Sequence, residues 1–95
     1  MNKKLEERLA RLIADGRFYS SHKYGQPIVK VEYARVKLRY DATQWSQPED
    51  MFVVYFADGN HDEAFFPDDD SGFSRGGRSD FKLLTKKKII FEGSM

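Results

Sequence analysis

Carboxylates are the side chains with the most potential chemistry in this sequence, and they are concentrated in one stretch of it. Residues 40–74 contain nine Asp or Glu and no Lys or Arg. By contrast, residues 1–39 contain ten Lys or Arg and four acids, and residues 75–95 contain six and two. The formal net charge of +1 therefore hides a strong segregation of charge, which bears on partners and association rather than on fold.

Six of these acids are predicted to form an outward-facing surface on a hairpin turn and the loop that follows it. Spaced carboxylates can imitate the phosphates of a nucleic acid and would dock on a basic surface of a larger protein. The alternative is that they pair across the sheet with the chain's own arginines and lysines. The residues of this predicted acidic surface are Asp58, Asp62, Glu63, Asp68, Asp69 and Asp70.

A second candidate surface is basic. Arg35, Lys37 and Arg39 alternate along one predicted strand and should project from the same face. With aromatic rings nearby, such a stripe could hold single-stranded nucleic acid by charge and stacking. A pI of about 8.0 and the acidic stretch argue against this, and a solvated sheet face explains the stripe equally well. The further basic residues of this alternative are Arg75, Arg78, Lys86, Lys87 and Lys88.

Patterns for catalysis or metal binding are weak. His22 and His61 have no metal-ligand spacing between them, and the absence of cysteine excludes thiolate sites and Cys nucleophiles. The run Asp68–Gly72 resembles the start of a calcium loop, but alignment on its glycine places Pro67 at the first ligand position. We therefore expect no catalytic residues, no metal and no cofactor.

An N-terminal amphipathic helix over about residues 3–15 is the first element that the sequence predicts. Its apolar stripe recurs at helical spacing and comprises Leu5, Leu9, Leu12 and Ile13. Asn2 can cap the first turn. A helix of this length is marginal alone in water, so it must dock on the rest of the domain.

Strands are predicted over about residues 17–91. A short strand is predicted at Arg17–Tyr24 and a long one at Ile28–Tyr40, where the apolar set changes from odd to even positions near Ala34. Such a phase change indicates a β-bulge or a sharp bend. The apolar run Met51–Ala57 predicts a central strand that is buried on both faces.

The remaining elements are a hairpin, a loop and a closing strand. Asp58-Gly59 favours a two-residue type I′ turn, which would place Phe56 opposite His61. The stretch Phe52–Phe66 resembles a hairpin of Tudor and other SH3-like barrels. Residues 67–80 are predicted to form a mobile polar loop, with a short helix at 80–86 as an alternative for its end. Residues 89–91 predict a closing strand, guarded by the lysines that precede it.

Together these patterns predict one α+β domain over residues 1–95. The helix packs on a twisted, mainly antiparallel sheet of four to five strands, and the bend in the long strand also allows a partly closed SH3-like barrel. No run approaches the length needed to span a bilayer, and no signal-peptide pattern is present. We therefore expect a cytoplasmic protein without a membrane partner.

The predicted function is stoichiometric, non-enzymatic binding of a larger protein through the acidic surface. In size and charge pattern the chain is similar to phage and mobile-element inhibitors of nucleic-acid machinery, including anti-CRISPR proteins. One alternative is a nucleic-acid-binding domain that uses the basic strand face. The other is an assembly subunit, a homodimer in which the acidic stretch of one copy meets the basic ends of its partner.

Overall fold

A computed structural model describes residues 2–14, 27–39, 41–70, 72–75 and 80–93 of the chain. They form the helix α1 (Lys3–Ala14) and six strands: β1 (Ile28–Leu38), β2 (Glu49–Phe56), β3 (His61–Pro67), β4 (Ser74–Arg75), β5 (Phe81–Leu83) and β6 (Lys88–Glu92). A helix packed on a mainly antiparallel sheet confirms the predicted α+β fold. The short strand predicted at Arg17–Tyr24 lies outside the described residues.

The strands form one sheet in the order β4-β3-β2-β1-β5, with antiparallel pairing throughout. β6 also pairs with β1, and because β2 occupies the other side of that strand, β5 and β6 lie end to end along one edge. β5 pairs with residues 36–38 and β6 with residues 30–33. The sheet formed by the described strands is open, so the SH3-like barrel is not formed.

The helix begins and packs as its sequence predicts. The backbone N–H of Leu5 donates to Asn2 Oδ1 at 2.7 Å, which is the expected N-cap. Leucines of the helix are buried against one face of the sheet, where they meet Val31 of β1 and Phe52 of β2. We call this the helix side of the sheet. Docking of its apolar stripe is what stabilises so short a helix.

The change of phase in β1 is not a bulge near Ala34. Pairing with β2 runs without a shift from Lys30 to Val36, and the irregularity lies earlier, between Ile28 and Lys30. The apolar residues change parity because the sheet has a core on each face. Val31 lies in the core under the helix, whereas Ala34 and Val36 lie in a second core on the far side.

The sheet curls around this second core. The rings of Phe65 in β3 and Phe81 in β5 approach to 6.0 Å between centroids. Two strands separate β3 from β5, so a flat sheet would hold them about 14 Å apart. This curvature runs across the strands and is a different feature from the sharp bend predicted within β1, and it does not close a barrel.

The turn between β2 and β3 is longer than predicted. The N–H of Gly59 donates to Phe56 O at 3.0 Å, and the N–H of Phe56 donates to Asn60 O at 2.8 Å. A type I′ turn needs positive φ at both central residues, but within this turn only Gly59 has it, with φ 89°. The extra residue moves the register by one, so that Tyr55 rather than Phe56 opposes His61.

Two further boundaries differ from expectation. Glu49 and Asp50 belong to β2 rather than to the preceding loop, and both are buried. The alternative helix at 80–86 is not formed, because residues 81–83 pair with the edge of β1 and satisfy its backbone there. The predicted closing strand is confirmed as β6.

The left-handed glycine of the turn supports a stability prediction. A Cβ added at Gly59 would meet no atom within 4 Å, so the cost of Gly59→Ala comes from backbone conformation alone. We expect a loss of about 1–2 kcal/mol in the free energy of unfolding, measured by urea denaturation. Gly59→Asn is the matched control and should lose less, because Asn tolerates positive φ. Equal losses in the two variants would contradict this account of the turn.

Candidate functional site

An arginine lies on the buried face of the helix. The side chain of Arg8 is only 2% exposed, and its two terminal nitrogens donate four hydrogen bonds. These reach Asp50 Oδ2 at 2.8 Å, Phe66 O at 3.1 Å, Pro67 O at 2.7 Å and Asp70 Oδ1 at 2.8 Å. Its Nε has no hydrogen-bond partner. A buried guanidinium is tolerated because carboxylates and carbonyls satisfy nearly all of its donors.

Asp50 of β2 holds the centre of this arrangement. Its Oδ2 accepts from Arg8, while Oδ1 accepts from Arg35 at 2.7 Å and from the hydroxyl of Tyr33 at 2.8 Å. Burial, together with this hydrogen bond, raises the pKa of Tyr33 to about 12. The carboxylate therefore joins the helix to β1 through three charge-assisted bonds.

The same network takes in part of the predicted acidic surface. Asp68 accepts two bonds from Arg35, at 3.0 and 3.1 Å, and Asp70 pairs with both Arg8 and Lys4. The hydrogen bond with Asp68 raises the pKa of Arg35, and the reciprocal bond lowers the pKa of Asp68. The bond from Arg8 lowers the pKa of Asp70. The arginine network, as named below, comprises Lys4, Arg8, Tyr33, Arg35, Asp50, Asp68 and Asp70.

The other acids of that predicted surface are spread over the hairpin. Asp58 lies at the turn and bonds with Asn60. Asp62 and Glu63 project from opposite faces of β3, as neighbours in a strand do. The strand between the turn and Asp69 is about 20 Å long. The structure thus places Asp68, Asp69 and Asp70 together after β3 and holds Asp58, Asp62 and Glu63 apart from them along the hairpin. Partner binding by the set stays a prediction.

The predicted basic stripe is also divided. Arg35 belongs to the arginine network, whereas Arg39 is exposed, pairs with Asp80 at 3.3 Å and donates to backbone carbonyls. Lys37 lies directly opposite Lys82 of β5. The remaining members lie apart from one another. Lys86, Lys87 and Lys88 are exposed on the outer edge of the sheet, which β5 and β6 form, and Arg75 lies in β4 at the opposite edge. Arg78 is outside the described residues.

Two exposed features were not assigned to a site by the sequence. The ring of Trp45, 38% exposed, has the cations of Lys82 and Arg39 at 5.6 and 5.9 Å from its centre. On the outer edge, Leu83, Leu84 and Ile89 are 46%, 42% and 48% exposed. We call these three residues the apolar edge. The available sequence signals were a tryptophan in a polar loop and leucines beside lysines, and neither reveals exposure by itself.

The arrangement consists of ion pairs and hydrogen bonds among side chains and backbone carbonyls. Among the residues that the structure describes, no three His, Asp or Glu side chains are grouped so that they could hold a metal ion. The helix in that part of the chain is neither long nor apolar enough to cross a membrane. His61 lies 3.9 Å from Glu63 and packs beside the ring of Tyr55 on the hairpin surface.

Removal of Arg8 tests the importance of the arginine network for folding. Arg8→Ala leaves Asp50 buried with one of its two arginine partners missing, and we expect the free energy of unfolding to fall by about 3–5 kcal/mol. Arg11→Ala is the matched control, because Arg11 is exposed on the same helix and also lies over the Phe66 ring. It should cost about 0.5 kcal/mol or less. Equal losses in urea denaturation would overturn the role given to Arg8.

The two exposed acids of the network predict how stability depends on pH. Folding lowers the pKa values of Asp68 and Asp70 from the ordinary value of 3.8. As the pH falls, these carboxylates therefore take up protons in the unfolded chain before they do so in the folded protein. The stabilisation is complete above about pH 4 and disappears below it as the folded-state carboxylates protonate. Asp68→Asn with Asp70→Asn should lower the urea midpoint at pH 7 and flatten its fall in acid. A fall in acid as steep in this variant as in the wild type would contradict the role given to the two aspartates.

Comparison of the chain with protein-family models, with curated proteins and with solved structures found no match.

Proposed function

We propose that this protein is a small, non-enzymatic domain that binds a partner protein through the apolar edge. The observation that carries the proposal is the exposure of three large aliphatic side chains on one edge of the sheet. The described residues include four exposed large hydrophobic side chains, and three of them are Leu83, Leu84 and Ile89. Exposed apolar side chains rimmed by polar residues commonly mark an interaction site.

The register of the edge strands supports a shared docking surface. Leu83 pairs with Val36 and Ile89 with Glu32, so both side chains project from the far side of the sheet. They are separated by four residues of β1, or about 13 Å. Covering each of them would contribute roughly 1 kcal/mol from the removal of apolar surface. That distance suits one continuous segment or patch of a partner.

The charge around the apolar edge defines the chemistry of the partner. Lys86 and Lys87 lie between β5 and β6, Lys88 begins β6, and all three are exposed. The connection is held along β1, because the N–H of Leu84 donates to Arg35 O at 2.8 Å. An interface with an apolar centre and a cationic rim is complemented by an apolar patch with an acidic rim. The partner is therefore a protein with acidic residues around its own apolar contact.

This proposal moves the docking surface away from the acidic hairpin. Asp68 and Asp70 accept bonds from Arg35 and Arg8, so their charge is largely neutralised within the chain. Reversing them to lysine would disrupt the arginine network and could not report on binding alone. Asp62 and Glu63 lie outside the network, and removal of their charge tests the acidic surface more cleanly.

Two finer points belong to the same proposal. Stoichiometric inhibition of a protein that acts on nucleic acid is the specific form of binding that the size and charge of the chain favour. The cysteine-free composition suits a reducing compartment, and we place the activity in the cytoplasm. Both points are supported by the sequence.

Affinity capture from the native host, followed by mass spectrometry, tests the apolar edge. Leu83→Glu with Ile89→Glu should lose a partner that the wild type captures, because two carboxylates would be buried against the apolar patch of the partner. Ala10→Glu with Ala57→Glu adds the same charge at exposed positions elsewhere and should retain that partner. If instead Asp62→Asn with Glu63→Gln alone loses it, the acidic surface is the docking site. Sedimentation velocity distinguishes a second copy of the chain from a different protein.

A further inference from the structure

We infer that the surface around Trp45 binds single-stranded nucleic acid. The Trp45 surface comprises Trp45, Lys37, Arg39 and Lys82. It shares no residue with the apolar edge and does not depend on the function proposed above. Three of its members, Trp45, Arg39 and Lys82, are exposed, and Lys37 is partly exposed.

The register of the sheet places all four side chains on the helix side. Arg35 pairs with Asp50 in the arginine network beneath α1, and Lys37 and Arg39 continue the same alternation along the chain. Lys82 is the direct partner of Lys37, and Trp45 forms a bridge with Arg39. Residues directly opposite each other in an antiparallel pair project from the same face. Arg39, Trp45 and Lys82 are exposed, so α1 does not bury this part of the helix side.

The pairing of Lys37 with Lys82 points to an anionic ligand. Like charges directly opposite each other in a sheet destabilise the pairing, and these two lysines occupy such a position. Arg39 adds a third cation, although Asp80 shares its charge at 3.3 Å. A phosphate between the two ammonium groups would relieve their repulsion. A solvated sheet face accommodates either lysine alone, but it does not remove the repulsion between the two.

The tryptophan distinguishes nucleic acid from an acidic polypeptide. Proteins that bind single strands combine a cationic track for the backbone with aromatic rings on which the bases stack. Trp45 offers a partly exposed ring within 6 Å of two of the cations, Arg39 and Lys82. A duplex keeps its bases stacked on one another, so one exposed ring suits an unpaired base. An acidic peptide would satisfy the lysines but would leave the ring without a stacking partner.

The predicted affinity depends strongly on salt. Three cations that each neutralise one phosphate correspond to a slope of about −2 in log K against log salt for a single strand. Binding should therefore be clearest at about 50 mM salt and weaken by roughly 20-fold at 200 mM. A site that takes up only one base by stacking would show little of this dependence.

Intrinsic fluorescence reports directly on this surface, because Trp45 is the one tryptophan of the chain. Titration with a short oligothymidylate at low salt should quench Trp45 emission, and anisotropy of the same labelled strand should rise to saturation. Trp45→Ala should weaken binding by roughly 5- to 150-fold in the anisotropy assay. Lys37→Ala with Lys82→Ala should weaken binding and reduce the salt slope by about 1.4.

Lys30→Ala is the matched control for the lysine variants. Lys30 also lies over an aromatic ring, with its Nζ 4.3 Å from the centre of Tyr55, but it projects from the far side of the sheet. It removes a comparable charge and should leave affinity within about twofold. If Lys30→Ala weakens binding as much as Lys37→Ala with Lys82→Ala does, the affinity for the oligonucleotide depends only on the overall charge of the protein. That result would overturn the site.

Two other outcomes also overturn the proposal. One is the absence of binding at low salt by the folded wild type, and the other is equally tight binding of an oligoglutamate peptide with equal quenching. The second result would reassign the surface to acidic proteins. Neither result depends on Leu83 or Ile89, so this inference and the proposed function succeed or fail separately. Leu83→Glu with Ile89→Glu, measured in the same assay, confirms that separation if quenching is unchanged.

Discussion

The structure depends on the buried ion pair between Arg8 of α1 and Asp50 of β2. Both groups are removed from water, the guanidinium side chain at 2% exposure and the carboxylate side chain at 10%. Such a pair contributes little net stability, because desolvation offsets the attraction, but an unpaired member would be costly. A shift of the helix by one turn along the sheet would therefore leave Arg8 buried without its carboxylate partner. Tyr33 and Arg35 on β1 are held by the same carboxylate, so one charge fixes the relative positions of three elements.

This network also explains the segregation of charge in the sequence. The basic members Lys4, Arg8 and Arg35 come from the first 39 residues, and the acidic members come from the stretch without Lys or Arg. Folding brings the two regions together, so much of their opposite charge is neutralised internally. Seven of the described cations outside this network lie on β1, β5 and β6 or directly beside them, namely Lys30, Lys37, Arg39, Lys82, Lys86, Lys87 and Lys88. The charge that the described surface presents is therefore set by these regions of the fold and not by the linear pattern of the sequence.

Local sequence patterns predicted the helix and most strands of this fold. The features that they did not predict depend on contacts between residues far apart in the sequence. The helix, its Asn2 cap and the buried central strand follow from spacing and capping within a few residues. The prediction of a bulge near Ala34 was wrong. The change of phase arises because the sheet carries a core on each face, which an alternating pattern in one strand cannot reveal. The turn register was wrong because Asp58-Gly59 fits more than one turn type. Burial of Arg8 could be suspected from its i+3 position after Leu5, but its partner is 42 residues away.

β5 gives the two proposed surfaces a physical connection. Lys82 and Leu83 are neighbours in a three-residue strand and project from opposite faces. A partner on the apolar edge would approach Leu83 from the far side and leave the ring of Trp45 accessible on the helix side. Because neighbouring residues of β5 serve the two proposed surfaces from opposite faces, the proposed protein partner and the proposed nucleic-acid strand would not compete for a side chain.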